Sequence, residues 1–181
     1  MTRFIPNFLN AKVSEEVLGP HITANITYHV NVKDAISISN YYSIPFFADV
    51  MEHVIPEKVE GILAAAPSEK MIQILKELLK RKNYAQISAL MDYTPVEKAA
   101  KLTLEVKDMD VVSDVGYYST KKDRLWKILA TYTDERNIGF IRSCIKFERE
   151  DLLKEIVETG NLNFQKKFNS LIESAISDKK I

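Results

Sequence analysis

The sequence predicts an all-α protein built as a superhelical stack of short helix pairs, an α-solenoid. Apolar residues recur at helical spacing in short segments along most of the 181-residue chain. Pro45, Pro56 and Pro67 stand eleven residues apart, as expected if successive short helices each restart at a proline. The chain contains only five glycines, which is unlike a barrel or sandwich rich in tight turns.

The first 32 residues form an N-terminal lead with less regular helical signals. A short helix is predicted from Ser14 to Leu18, because Gly19 and Pro20 stop it. Residues 21–32 alternate between apolar and polar, a period of two that is typical of a strand. The same residues could form a helix with a mixed face in a helical context. The sequence leaves both interpretations open, a small strand element or a helix.

Residues 33–160 are predicted to hold the helical repeats. The proline spacing predicts helices at Pro45 to Val54, Pro56 to Ala65 and Pro67 to Lys80. In the middle of the chain, Thr94 and Glu97 have the spacing of a capping box, which marks the start of a helix.

Further helices are predicted in the second half of the chain. One begins at Asp108 or Asp110 and is closed by Gly116, and another runs from Lys121 to Tyr132. Residues 161–181 hold an amphipathic helix with a charged tail, which suits the polar end of a stack. We therefore expect a single helical-repeat domain over residues 1–181.

The best-defined helix pair lies between Ile141 and Asn163. Cys144 and Ile145 follow Ile141 at positions i+3 and i+4, on one face of a first helix. A second helix carries its own apolar stripe after a polar turn, and Gly160 at its end suits a left-handed residue. Neither short helix can bury its stripe alone, so each requires neighbours of the same kind. The apolar residues of the second helix are Leu152, Leu153, Ile156 and Val157.

The segment Asp151 to Asn163, DLLKEIVETGNLN, resembles the second helix and loop of an ankyrin repeat. Cys144-Ile145 stands where that repeat has the small pair of its first helix, so the resemblance is strongest over Cys144 to Asn163. Thr103-Leu104, followed by Val111-Val112, is a weaker echo 41 residues upstream, whereas ankyrin repeats are about 33 residues long. The Thr-Pro-Leu-His motif of the family is absent before Cys144. The resemblance implies a stack of helix pairs.

Composition excludes several classes of protein. Lysine plus arginine and aspartate plus glutamate both number 25, and this zero net charge disfavours a general nucleic-acid or anionic-membrane surface. The single cysteine excludes an intrachain disulfide and fits a reducing compartment. No apolar run reaches the roughly 18 residues needed to span a bilayer, and the N-terminus does not resemble a secretory signal. A cytoplasmic location is expected.

No strong catalytic motif is present. The chain lacks a glycine-rich phosphate loop, HExxH, CxxC and GxSxG. Asp108, Asp110 and Asp114 lack the glycine and glutamate of a calcium-binding loop, and we interpret them as acids at the start of a helix. Cys144 lies on an apolar stripe and is expected to be a buried structural thiol. We predict no catalytic residue, no metal site and no cofactor.

The function predicted from this architecture is a non-catalytic protein-interaction module. A helical-repeat scaffold would bind a protein partner through its concave face or its turn tips. The candidate contacts at turn tips are Tyr117, Tyr118, Lys122 and Arg149. Two alternatives stay open: an enzyme whose site is assembled only in three dimensions, and a helical-repeat nucleic-acid binder. Basic residues such as Lys121, Lys122 and Arg124 could serve the latter, although such residues more often complement the ends of helices.

Overall fold

The computed structural model describes residues 5–177, and each regular element in that range is a helix. The chain divides into two compact units, residues 1–86 and 87–181. The expectation of a single domain over 1–181 stays a prediction, and residues 178–181 of the proposed C-terminal cap lie outside the described residues. The helices of the first unit are α1 (Asn7–Val13), α2 (Gly19–Thr27), α3 (Val32–Ser39), α4 (Ile44–His53), α5 (Glu60–Ala65) and α6 (Ser68–Lys80).

A π-helical turn, Ser14–Leu18, joins α1 to α2, and a 3-10 turn, Pro56–Val59, precedes α5. Helix α7 (Tyr84–Asp92) crosses the boundary between the units. The helices of the second unit are α8 (Val96–Leu104), α9 (Met109–Tyr118), α10 (Lys122–Leu129), α11 (Asp134–Lys146), α12 (Glu150–Thr159) and α13 (Leu162–Ser177).

Each unit is a stack in which alternate helices pack side by side. In the first unit α2, α4 and α6 contact one another in order, and so do α1, α3 and α5. In the second unit α8, α10 and α12 form one such row, and α9, α11 and α13 form the other. The predicted fold class, an all-α stack of short helix pairs, is confirmed.

The strand interpretation of residues 21–32 is wrong, and the helix interpretation is right. Helix α2 covers the first part of this segment, and the Asn31 side chain caps α3 by accepting the backbone N–H of Asp34 at 2.9 Å. Thr23 and Ala24 are both buried although they are adjacent, which a strand with one buried face would not allow. The alternation arises because Ile22 and Ile26 remain exposed on the helix.

The proline-spaced helices are confirmed, with small shifts at their ends. Helices α4 and α6 start within a residue of the positions predicted from Pro45 and Pro67. Pro56 starts the 3-10 turn, and the α-helical part of that element follows from Glu60. In all three cases proline lies at the start of the element, where its missing N–H costs nothing.

Two expectations about glycine are wrong. Gly160 has a φ of −73°, and its conformation is open to any residue. In the helix pair of α11 and α12, the left-handed residue is Glu148 at the end of α11, with φ of 54°. It forms a Schellman motif in which the backbone N–H of Arg149 donates to the carbonyl oxygen of Cys144 at 2.8 Å. Gly116 does not close α9, because the helix continues to Tyr118.

Glycine is required at position 160 because there is no room for a side chain there. A Cβ at this position would lie 2.6 Å from the Phe164 ring, which is closer than real Cβ contacts allow. Gly116, inside α9, has room for a Cβ, whose nearest neighbour on the Phe140 ring would be 3.7 Å away.

One type of side-chain hydrogen bond recurs between the turns of neighbouring helix pairs. In each case the side chain of the third residue of a helix donates to a backbone carbonyl near the end of an earlier helix, the third one before it in the chain. In the first unit, Lys70 bonds the carbonyl of Ser39, and Gln86 bonds those of Met51 (2.7 Å) and Val54 (3.1 Å). These donors satisfy helix-end carbonyls that have no partner within their own helix.

The second unit uses the same device. Arg124 bonds the carbonyl of Thr94, and Arg136 bonds those of Thr103 (2.6 Å) and Val106 (2.7 Å). The bonds join residues about thirty apart in sequence, so they tie neighbouring helix pairs together.

Among residues 5–177, no helix combines the length and apolar character needed to cross a membrane.

Candidate functional site

The four predicted binding residues meet on one edge of the second unit. Tyr117 and Tyr118 end α9, Lys122 begins α10, and Arg149 precedes α12. The Tyr117 ring lies 5.0 Å from the guanidinium carbon of Arg149 and 5.8 Å from the Lys122 ammonium. The structure therefore places all four in one group. With Phe147, we call this group the aromatic turn cluster.

The turn between α9 and α10 is held by the carboxylate of Asp92, at the end of α7. Asp92 is 4% exposed and accepts three hydrogen bonds, from the Ser119 hydroxyl (2.6 Å), the Thr120 backbone N–H (2.8 Å) and the Thr120 hydroxyl (2.9 Å). A buried carboxylate needs such donors to offset its lost hydration. The bonds fix the chain directly after Tyr118.

Arg149 is a positioning group within the cluster. Its guanidinium carbon lies 5.0 Å from the ring centroids of both Tyr117 and Phe147. One of its amino groups donates to the Ser113 hydroxyl at 2.8 Å, and the other forms an ion pair with Asp114. The side chain is only 14% exposed. Its two terminal amino groups are therefore bonded within the protein, and its charge lies over the two aromatic rings.

Lys122 also serves the end of α9. Its ammonium group donates to the carbonyl oxygens of Gly116 (3.0 Å) and Tyr117 (2.7 Å). Burial lowers the pKa of this amine, and the nearby Glu155 carboxylate opposes that shift. A cation at a helix C-terminus bonds the free carbonyls and complements the helix dipole.

The neighbouring basic residues have structural partners as well. The ammonium nitrogen of Lys121 lies 3.5 Å from the centroid of the Tyr93 ring, and the guanidinium of Arg124 donates to the backbone carbonyl of Thr94. The interpretation that these cations complement helix ends and loops is confirmed for Lys122 and Arg124.

Three aromatic rings of the cluster remain open to solvent. Tyr117 is 52% exposed, Tyr118 51% and Phe147 41%. The two tyrosine rings meet edge to face, with centroids 5.6 Å apart. Sequence reasoning missed Phe147, although an aromatic residue inside the polar turn KFERE was a usable signal. By spacing alone Phe147 continues the apolar stripe, because it follows Cys144 at i+3, but α11 ends at Lys146 and the ring lies on the turn.

Two of the three acids near the cluster, Asp108 and Asp110, lie at the start of α9 as expected, whereas Asp114 lies within the helix. Asp108 caps α9 by accepting the backbone N–H of Asp110 at 2.9 Å. Asp110 pairs with Lys146, whose hydrogen bond lowers the pKa of the Asp110 carboxyl, and Asp114 pairs with Arg149.

The single cysteine and the three histidines of the chain lie outside the aromatic turn cluster. Burial raises the pKa of the Cys144 thiol to about 12, and its side chain is fully buried, as predicted for a structural cysteine. In the first unit, His21 and His53 meet edge to face at 5.5 Å. Within residues 5–177, no three His, Cys, Asp or Glu side chains are grouped so that they could hold a metal ion.

The chain matches no protein-family model, no curated protein and no solved structure. The ankyrin-like resemblance therefore stays a prediction. Its two echoes fall on α11 with α12 and on α8 with α9, three helices apart in the stack. Equivalent helices of the second unit begin 25 to 28 residues apart.

Proposed function

We propose that this protein is a non-catalytic interaction module, a helical-repeat scaffold that binds a protein partner through the aromatic turn cluster. One observation carries the proposal: three aromatic rings stand exposed on a turn edge that buried polar bonds hold in place. The cytoplasmic location and the relation to ankyrin repeats expected from the sequence belong to the same proposal.

The composition of the cluster is that of an interface centre. Tyrosine and arginine are enriched among the residues that contribute most to protein–protein affinity. Aromatic side chains offer a large contact area and lose little conformational entropy on binding. The hydroxyls of Tyr117 and Tyr118 add hydrogen bonds at the rim of such a contact.

The residues that hold the rings in position also favour binding. The guanidinium of Arg149 contacts the rings of Tyr117 and Phe147, Lys122 bonds the end of α9, and Asp92 bonds the turn that follows. Groups that are already ordered lose less entropy when a partner binds. The partner best suited to this surface presents apolar side chains to the rings and polar groups to the tyrosine hydroxyls, because the charges of Lys122 and Arg149 are already engaged.

The test is a quantitative pull-down from native cytosol with three forms of the tagged protein. The wild type should retain a defined protein, and the double variant Tyr117→Ser/Tyr118→Ser should lose it. Tyr41→Ser is the matched control, because Tyr41 is 59% exposed on the first unit and does not belong to the cluster. This variant should retain the partner at the wild-type level.

Equal retention by the double variant, with circular dichroism showing that it is folded, would reject the cluster as the binding surface. Equal loss in Tyr41→Ser would show that the assay responds to any exposed tyrosine.

A further inference from the structure

The first unit contains an apolar cavity of about 220 Å³ between its helices. Protein interiors rarely keep voids much larger than a water molecule. An engineered cavity of roughly 150 Å³ with an apolar lining stays dry and binds benzene. By that scale, this cavity has room for about nine non-hydrogen atoms. Its lining comes from α1 to α5 and the turns between them, and includes Val13, Thr23, Ile26, Ala35, Ile38 and Val50.

Among residues 5–177, no charged side chain lines the cavity. An ionised ligand would lose its hydration there without gaining an opposite charge, which is strongly unfavourable. The lining therefore favours an uncharged molecule, and its many aliphatic and aromatic side chains favour one that is mostly apolar.

Thr23 adds a specific polar feature to this lining. The residue is 2% exposed, and its hydroxyl has no hydrogen-bond partner among the described residues. Two neighbouring hydroxyls differ in this respect, because that of Thr27 bonds the Thr23 carbonyl at 2.8 Å and that of Ser39 bonds the Ile36 carbonyl at 2.9 Å. A buried hydroxyl without a partner is costly, and a ligand could supply the missing bond.

The surroundings allow a ligand to enter. Val13 and Ile26 belong to the lining and are also exposed to solvent, at 48% and 44%, so the cavity opens beside them. Helix α3 covers part of the lining, and its buried positions are limited to Ser39. The π-helical turn at Ser14–Leu18 forms another wall, and turns of this type are frequent at functional sites.

We propose that the cavity of the first unit is a binding site for a small, uncharged, mostly apolar molecule that hydrogen-bonds the Thr23 hydroxyl. This inference is independent of the proposed function, since the cavity and the aromatic turn cluster belong to different units.

Two isosteric probes test the site, indole and indene, which have nine non-hydrogen atoms each and differ in one N–H. Each probe is titrated into the 181-residue protein, and NMR follows the methyl groups of Val50, Met51 and Ile38. Both probes should cause saturable shifts of these methyls. Indole should bind about 2- to 10-fold more tightly than indene, because one net hydrogen bond is worth about 0.5–1.5 kcal/mol.

Two kinds of variant make the test specific. Thr23→Val keeps the shape of the side chain and removes the hydroxyl, so it should abolish the preference for indole and leave indene binding unchanged. Ala35→Phe should fill the cavity and abolish the binding of both probes. If Ala35→Phe does not fold, Ala35→Leu replaces it with a smaller increase in volume.

Three results would overturn the proposal. The first is the absence of saturable shifts in the folded wild type up to the solubility limit of both probes. The second is undiminished binding in a folded cavity-filling variant, which would place the probes elsewhere. The third is an unchanged indole preference in Thr23→Val, which would remove the hydroxyl from the site.

Discussion

The guanidinium carbon of Arg149 lies 5.0 Å from the centroid of the Tyr117 ring, although 32 residues separate the two in sequence. Arg149 comes directly after the left-handed residue Glu148, and Tyr117 ends α9. The contact therefore joins the turn after α11 to the end of the helix beside it. Because the same guanidinium is bonded to Ser113 and Asp114, it sets the position of the exposed ring.

We expect a double-mutant cycle between Arg149→Gln and Asp114→Asn to show a coupling free energy of about 1–3 kcal/mol, since both groups are largely screened from water. Urea denaturation of the four proteins gives this value. The matched control is the solvent-exposed pair of Lys154 and Glu158, 3.9 Å apart and 74% and 61% exposed. Its cycle should show no measurable coupling, and equal coupling in both cycles would contradict the buried role of Arg149.

Alanine should have opposite effects at two glycines of the second unit. Gly160→Ala places a Cβ 2.6 Å from the Phe164 ring, and we expect a loss of about 1–3 kcal/mol in the free energy of unfolding. Gly116→Ala adds a methyl group at ordinary contact distance inside a helix, and should stabilise the protein by about 0.5–1 kcal/mol. Thermal denaturation measures both, and stabilisation by Gly160→Ala would show that Phe164 moves freely.

Replacement of Asp92 should weaken the turn that follows Tyr118. Asp92→Ala removes the acceptor of three hydrogen bonds and leaves the buried Ser119 hydroxyl without its partner. We expect a loss of about 2–4 kcal/mol in the free energy of unfolding, whereas Asp92→Asn, which keeps an acceptor oxygen, should lose less. Chemical denaturation of the wild type, Asp92→Asn and Asp92→Ala gives their free energies of unfolding, which should decrease in that order. Equal stability of Asp92→Ala and wild type would mean that the turn does not depend on this carboxylate.

Cys144 should be inert in the native protein. With a pKa of about 12, only about one thiol in ten thousand is ionised at pH 8, against about one in ten in an unfolded chain. Labelling with a disulfide reagent should therefore be slow in buffer and rapid in denaturing urea, where the thiol is exposed. Rapid labelling of the folded protein, followed by absorbance, would show that the second unit opens readily around α11.

The sequence predicted the fold class because each short helix carries its own apolar stripe and its own start signal. Pro45, Pro56 and Pro67 marked helix starts correctly, since proline acts on the local backbone. The segment 21–32 was ambiguous because Ile22 and Ile26 are apolar yet exposed, so hydropathy did not report burial there.

The candidate site was predicted only in part. The four predicted residues do meet, but sequence alone does not distinguish the exposed rings of Tyr117 and Tyr118 from the cations that support them, Lys122 and Arg149. That distinction depends on bonds between turns about thirty residues apart, such as Arg149 with Asp114. The role of Gly160 depends likewise on the Phe164 ring, which backbone rules do not describe. The cavity around Thr23 leaves no motif in the sequence, because it arises where helices do not fill the space between them.

The most direct test of the proposed function is residue-specific photocrosslinking in native cytosol. A benzophenone amino acid is placed at position 118, in the exposed part of the aromatic turn cluster, and at position 41 as the control on the first unit. Crosslinked products are separated and identified by mass spectrometry. The proposal predicts one defined protein adduct from position 118 that is absent from position 41 and is lost when Tyr117→Ser is added. The absence of any adduct at position 118, or the same adduct from both positions, would contradict it.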